Sequence, residues 1–308
     1  MKDSKMVARR LFVVLALPVW AGAAQAEPFG NPTFSEEVSK QTQIYQSRGE
    51  AVPEGYVIGR SLLLYGNALA PGFNRALGSL GAKDRWLDIG AGEGKAILDY
   101  STAKYDVTFP QQAKPRGKAQ AVAISIEDRR TEQWHQTAAS FEGKLNYLFG
   151  KTFRDYSAEE LGRFQLISDV MGGFSYTQNP AVYMEKALGV LDVGGSLYTV
   201  LQDVHSENVD NRPFYPDARF LTEIRNADGS EMKVCSWLKS ISCVQVACEF
   251  KPDWKPPIEV YHVRKVCNDV AVPALVPTHF EAGTPPERGF LLKNSSSASM
   301  GQTTSASR

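Results

Sequence analysis

Between residues 85 and 202 two kinds of segment alternate, and this alternation restricts the fold more than any other feature. Short apolar runs, RWLDIG, AQAVAISIE, KLNYLFG, RFQLISDV and GGSLYTVLQ, read as strands. Between them KAILDYSTAKY, DRRTEQWHQTAASF and NPAVYMEKALGVL read as helices, the last with Pro180 in its first turn. Near-continuous apolar strands are buried on both faces. Alternated with helices, they form a mostly parallel sheet covered on both sides. The expected fold class is therefore α/β, Rossmann-like and doubly wound.

The flanks are less regular. Residues 27–80 read as helical, in runs FSEEVSKQTQIYQSRG, GRSLLLYGNALA and FNRALGSLG separated by Gly and Pro. Residues 106–120 lack periodicity and read as a surface loop. SWLKSISCVQVACEF reads as a helix or a long strand, and IEVYHVRKV as a strand. The last run, NSSSASMGQTTSASR, has almost no apolar content and is expected to be disordered. The expected organisation is a signal peptide at 1–26, a helical lid or cap at 27–80, the α/β domain at 81–293 and a tail at 294–308.

Residues 1–26 have a cationic start (Lys2, Lys5, Arg9, Arg10), an apolar stretch from Leu11 to Gly22, and Ala24-Gln25-Ala26 as a small-residue cleavage site. The apolar stretch is short for a membrane span. Export by a cleaved signal is expected, to a periplasmic or secreted location, with no stable membrane insertion afterwards. An uncleaved membrane tether is the alternative. The whole chain is formally neutral. Losing four basic residues and Asp3 leaves a mature charge of about −3. That balance disfavours nucleic acid as a partner, because binding it requires clustered Lys and Arg. Cys235, Cys243, Cys248 and Cys267 contain no C-x-x-C pair, so no zinc site or other metal site is expected. An even number in an exported chain favours disulfides, with three connectivities open; buried thiols are the alternative.

The first strand leads into DIGAGEGKA. A phosphate-binding P-loop needs an earlier glycine where Ile89 stands and a hydroxyl where Ala96 stands. A dinucleotide fingerprint needs a last glycine where Lys95 stands. The pattern present is acid-x-G-x-G-x-G: Asp88, Gly90, Gly92, Gly94. It resembles motif I of the class I S-adenosylmethionine-dependent methyltransferases. Glu127 after the second strand, Asp169 with Met171-Gly172-Gly173 after the fourth, and MEKALGVLDVGGSLYTV follow in the order of that family. The resemblance covers about residues 80–202. It implies a seven-stranded sheet and S-adenosyl-L-methionine as cofactor. It also implies Asp88, Gly90, Gly92, Gly94, Glu127 and Asp169 as cofactor-binding residues, with Asp169 facing the methyl group and the acceptor. Asp128 can stand in for Glu127. The chain departs from the family at Gly150-Lys151-Thr152, where an acid often meets the adenine. Each acid also has a plainer reading. Asp88 can cap the following helix, Glu127 and Asp128 can cap DRRTEQW, and Asp169 can be a solvated strand end.

The acceptor is expected to be a small molecule or a protein. Asp169-Val170-Met171-Gly172 lacks the D/N-P-P-Y/F signature of exocyclic-amine methylation in DNA, and no cysteine follows a proline. His205 after the fifth strand is the candidate general base, with an exposed loop histidine as the plainer reading. Tyr45, Tyr56 and Tyr65 belong either to the lid or to the core. Two other readings stand beside the enzyme: an exported, catalytically silent binding protein, and an NAD-binding oxidoreductase.

Overall fold

Strand β1 (Arg85–Ile89) forms the middle of a sheet in a computed structural model that describes residues 59–69, 72–102, 117–202, 221–252, 254, 257–281 and 286–293. Residues 1–26, read above as a signal, residues 27–58 with Tyr45 and Tyr56, residues 103–116 of the insert, His205 and residues 294–308 lie outside the described residues. The other strands of this sheet are β2 (Gln120–Ile124), β3 (Leu145–Leu148), β4 (Phe164–Asp169), β5 (Leu191–Gln202), β8 (Val244–Lys251) and β9 (Ile258–Lys265). Their order is β3-β2-β1-β4-β5-β9-β8. Neighbours from β3 to β5 are parallel, whereas β9 runs antiparallel to both β5 and β8. This is the Rossmann-like, mostly parallel, seven-stranded sheet that was expected.

Helices cover both faces. On one face, Leu87, Ile89, Ile167 and Leu197 pack with Tyr183, Met184, Ala187 and Leu188 of α7 (Pro180–Val190). That helix starts at Asn179, whose side chain accepts from Val182 N, with Pro180 in the first turn. The opposite face carries Trp86, Ala121, Ala123 and Val200. It is covered by α1 (Leu62–Ala68), α2 (Phe73–Ser79) and α3 (Lys95–Thr102). Ser61 caps α1 by accepting from Leu64 N at 3.3 Å. The Asp99 carboxylate on α3 accepts from Leu62 N at 3.0 Å and ties the two helices together.

Described residues of the segment expected as a cap pack on the sheet itself. Tyr65, Leu69, Phe73 and Leu77 are each 0% exposed and share one core with Trp86, Tyr100 and Tyr198. The sheet face needs an apolar cover, and this segment supplies it.

A second sheet extends the expected domain. β6 (Thr222–Arg225), β7 (Glu231–Met232), β10 (Leu275–Glu281) and β11 (Glu287–Leu292) order as β10-β11-β6-β7. Arg288 fastens it to the main body. Its guanidinium is 1% exposed, donating from Nη1 to Thr177 O at 2.6 Å and from Nε to Thr222 Oγ1 at 3.0 Å. Burial lowers its pKa to about 10, while the nearby Tyr261 and Asp169 oppose that shift. SWLKSISCVQVACEF, read as a helix or a long strand, holds the end of α8 (Val234–Lys239) and then β8. Disulfides Cys235–Cys248 and Cys243–Cys267 join this helix and the sheet edge, selecting one of the three connectivities.

Candidate functional site

Strand order places a crevice at the carboxyl ends of β1 and β4. The chain leaves β1 toward β2 on one side and returns from β3 to β4 on the other, which makes a topological switch point. Two glycine turns line it. Gly90, Gly92 and Gly94 have φ of 71°, 58° and 71°, the left-handed region that other residues enter at a cost. In the second turn, a Cβ on Gly172 would lie 2.4 Å from Ile89 O. The two turns touch, since a Cβ on Gly90 would lie 2.6 Å from Gly172 Cα. Met171, just before, is held at φ 52°. A side-chain-bearing residue in this region is strained, and such strain concentrates at functional turns.

The three acids meet different surroundings. Asp88 is 0% exposed and is not a helix cap. Its Oδ2 accepts from Tyr65 Oη at 2.9 Å and its Oδ1 from Ser168 Oγ at 2.7 Å. Ser168 Oγ in turn accepts from Trp86 Nε1 at 2.8 Å. Burial pushes Asp88 up to about pKa 7, with Asp169 adding to the rise. Ser168, the Arg60 charge and Tyr65 hold it down. Tyr65 is thereby a core residue with a polar task.

Asp169, read as facing the acceptor or else as a solvated strand end, is not solvated: it is 0% exposed. Its Oδ1 accepts from Gly172 N at 2.8 Å and its Oδ2 from Phe174 N at 2.8 Å, and Tyr183 Oη donates to Oδ2 as well. This carboxylate holds the Gly172-Gly173 turn and the start of α6 (Gly173–Tyr176). Burial raises it to about pKa 6 against those hydrogen bonds. Register puts the two acids on opposite faces of the sheet: Asp88 pairs with Ser168, and Ile89 pairs with Asp169.

Glu127 lies in the loop after β2, which ends at Ile124. Its side chain is 52% exposed and pairs with Arg129 at 2.7 Å. Neither Glu127 nor Asp128 caps the next helix, α4 (Glu132–Ser140). Thr131 does, accepting from Trp134 N at 3.2 Å. Asp128 instead pairs with Arg130, whose hydrogen bonds hold it at about pKa 2. Lys151 pairs with Glu160 of α5 (Ala158–Leu161), and Thr152 caps the short helical turn Phe153–Asp155.

Three groups without a sequence signal complete the site. Tyr147 Oη donates to Gly92 O and lies 3.5 Å from Glu127 O, which places it between the glycine loop and the loop after β2. Tyr147→Phe is expected to cost about 1 kcal/mol, the net worth of one hydrogen bond. Scanning calorimetry should then show a melting temperature lower by roughly 2–4 °C; an unchanged midpoint would mean this link carries no weight. Trp134 packs on Gly94, where a Cβ would meet its ring at 2.4 Å. Arg60, 9% exposed, donates from Nη2 to Gly90 O.

No metal site was expected. His279, Glu281 and Glu287 nevertheless bring one ligand atom each within 4.8 Å of one another. The cluster belongs to the β10–β11 hairpin of the second sheet, where Glu281 faces Glu287 across the pair.

No family model and no curated protein matches the chain. Solved structures do. An rRNA methylase from Streptococcus thermophilus is 9% identical with a TM-score of 0.37, over 63% of this chain and 94% of that one. The N-methyltransferase NodS from Bradyrhizobium japonicum, in complex with S-adenosyl-l-homocysteine, is 12% identical with a TM-score of 0.42, over 72% and 98%. A geranyl diphosphate methyltransferase in complex with GPP and sinefungin is 12% identical with a TM-score of 0.43, over 71% and 86%. It is the sheet order, not these likenesses, that defines the fold. Among the described residues no helix is long and apolar enough to cross a membrane.

Proposed function

We propose that this protein binds S-adenosyl-L-methionine at the β1–β4 crevice and transfers its methyl group to a small molecule or a protein. The carrying observation is the pair of touching glycine turns at the topological switch point, one of them left-handed at Gly90, Gly92 and Gly94. Such turns let a ligand approach the backbone closely. The residues fit the donor. Glu127 is exposed and its loop is tied to Gly92 through Tyr147, which suits two ribose hydroxyls. At the other end Arg60 brings a guanidinium to Gly90 O, which suits an amino-acid group. When bound, the donor would supply an electrophilic methyl on a sulfonium and leave as a neutral thioether.

The chain's own part would be alignment of donor and acceptor. Asp169 spends both oxygens on internal donors, so it holds the turn rather than removing a proton. That same engagement favours the second reading, a binding protein without turnover. A methyl-transfer assay against small-molecule and protein acceptors distinguishes the two.

Titration calorimetry of the purified protein tests the donor pocket. Micromolar binding of S-adenosylmethionine and S-adenosylhomocysteine is expected, with no heat from NAD. Glu127→Ala should weaken both by about 10-fold or more, the worth of charge-assisted hydrogen bonds. Absence of heat with both nucleosides would sink the reading.

Export is part of the same proposal. Its support is the signal-like run at 1–26 and the pairing of all four cysteines, since disulfides persist in oxidising compartments. Sequencing the native N-terminus checks it: a start after Ala26 is expected, and a start at Met1 would refute cleavage.

A further inference from the structure

A β-bulge brings three metal-binding side chains onto one face of the β10–β11 hairpin. Up to Pro277, which pairs with Phe290, the strands keep one register; from His279, which pairs with Gly289, they are offset by one residue. Thr278 is the extra residue. Had the first register continued, Glu287 would stand opposite Phe280 and share the other face of the sheet. The bulge instead sets Glu287 directly opposite Glu281. His279, two residues before Glu281, shares their face. The fourth position on this face is Gly289. A Cβ there would stand 2.9 Å from Thr278 Oγ1 and 3.5 Å from His279 Cβ, so glycine keeps the space beside the imidazole open.

The charges on this face are unbalanced. Like charges directly opposite each other destabilise a strand pair. Among the described residues no lysine or arginine pairs with Glu281 or Glu287. Arg288 belongs to the opposite face and is buried, spent on Thr177 O and Thr222 Oγ1. Glu223, next across the face on β6, is already paired with Arg225. His279 Nε2 lies 3.8 Å from Glu287 Oε1. That is too long for a hydrogen bond. It is close to the roughly 3.3 Å that separates two ligand atoms on a tetrahedral ion with bonds of about 2.0 Å. One atom from each of the three side chains lies within 4.8 Å of the others, and the exposed His279 and Glu281 can close the remaining distance by rotation.

We propose that His279, Glu281 and Glu287 bind a divalent transition ion such as zinc, which clamps β10 to β11. Two carboxylates and one neutral imidazole balance the charge of such an ion. Imidazole suits zinc and its neighbours, whereas calcium and magnesium take oxygen ligands. Three protein ligands leave a coordination position open to water. The site belongs to the second sheet and is independent of the donor pocket, so neither reading stands or falls with the other.

Titration calorimetry of the untagged protein, stripped with a chelator and dialysed free of it, reads the site directly. Zinc chloride should bind one to one, and calcium chloride at least about 10-fold more weakly. His279→Ala and Glu287→Gln should each weaken zinc by about 10- to 100-fold, since even a residue that only hydrogen-bonds to a metal ligand is worth that much. His135→Ala removes an exposed histidine of α4 and should leave zinc binding unchanged. Glu281→Gln gives a second readout whose sign reverses. In stripped protein it relieves the like-charge pair and should raise the melting temperature by roughly 1–3 °C. At saturating zinc it should melt below the native protein, because it gains less from the ion. Zinc binding undiminished in His279→Ala, calcium bound as tightly as zinc, or no binding at about 100 μM zinc would each overturn the proposal.

Discussion

Gly90→Ala should lower the melting temperature by roughly 5–15 °C and abolish binding of S-adenosylhomocysteine. Two costs add. Alanine at φ 71° pays roughly 1–2 kcal/mol for the left-handed conformation. The new methyl would then stand 2.6 Å from Gly172 Cα, and backbone cannot swing aside as a side-chain tip can. Either the two turns separate or the β1 end shifts, for a total of about 3 kcal/mol or more. Two other glycines separate these costs. Gly143 has φ 77° with nothing within 4 Å of a Cβ, so Gly143→Ala should show the conformational cost alone. Gly189 lies inside α7 with open space around it, so Gly189→Ala should stabilise by about 0.5–1 kcal/mol. A Gly90→Ala loss no larger than that of Gly143→Ala would mean the turns can part cheaply, and the crevice would lose its rigid floor.

Asp88→Asn is expected to stabilise the protein by about 2–4 kcal/mol at pH 8 while weakening ligand binding. The folded carboxyl titrates at about 7, raised mainly by burial, against an ordinary value near 3.8. The folded state therefore binds a proton that the unfolded chain has already released. Stability from this group is complete below the ordinary value and is lost as pH rises through about 7. Asparagine carries no charge to desolvate, and one of the Tyr65 and Ser168 hydroxyls can turn to accept from its amide as a backbone N–H cannot, so its gain should be largest at pH 8 and shrink toward pH 5. In the native protein, stability should rise between pH 8 and pH 6.5. Below that, His262 opposes the rise: burial first, then the Arg264 charge, lowers its folded pKa, so the unfolded chain binds the extra proton. Urea unfolding of both proteins at pH 6, 7 and 8 measures this. A pH-independent difference would show that Asp88 is not the titrating group. Stability gained and binding lost together are the mark of a residue kept for function. Asp169→Asn should behave oppositely and destabilise, because an amide oxygen cannot replace two carboxylate oxygens for Gly172 N and Phe174 N.

Much of the fold was legible in the alternation of strands and helices. β1 to β5 and the helices between them lie where their apolar runs stand, because a strand buried on both faces cannot afford polar alternation. The glycine loop was legible for a similar reason: positive φ at Gly90, Gly92 and Gly94 is a local demand that residue type alone can meet. The second sheet was not. β6 and β7 have four and two residues, too few for a period to show, and Arg288 looks like any surface arginine until Thr177 and Thr222 surround it.

The chemistry of the acids was settled only by tertiary structure. Along the chain, Asp88, Glu127 and Asp169 look alike, as acids near successive strand ends. Side chains alternate across a sheet, so the β1–β4 register sends Asp88 to one face and Asp169 to the other. Neighbours distant in sequence then fill their oxygens: Tyr65 and Ser168 for Asp88, Tyr183 and the Gly172 turn for Asp169. Glu127 alone keeps an exposed side chain. By itself the sequence determined the layered sheet and the glycine turn, since periodicity and backbone conformation are local properties. Which acid is buried, which is open, and that Arg60 brings an unmatched donor to Gly90 depend on desolvation and on long-range contacts, and those exist only once the chain has packed.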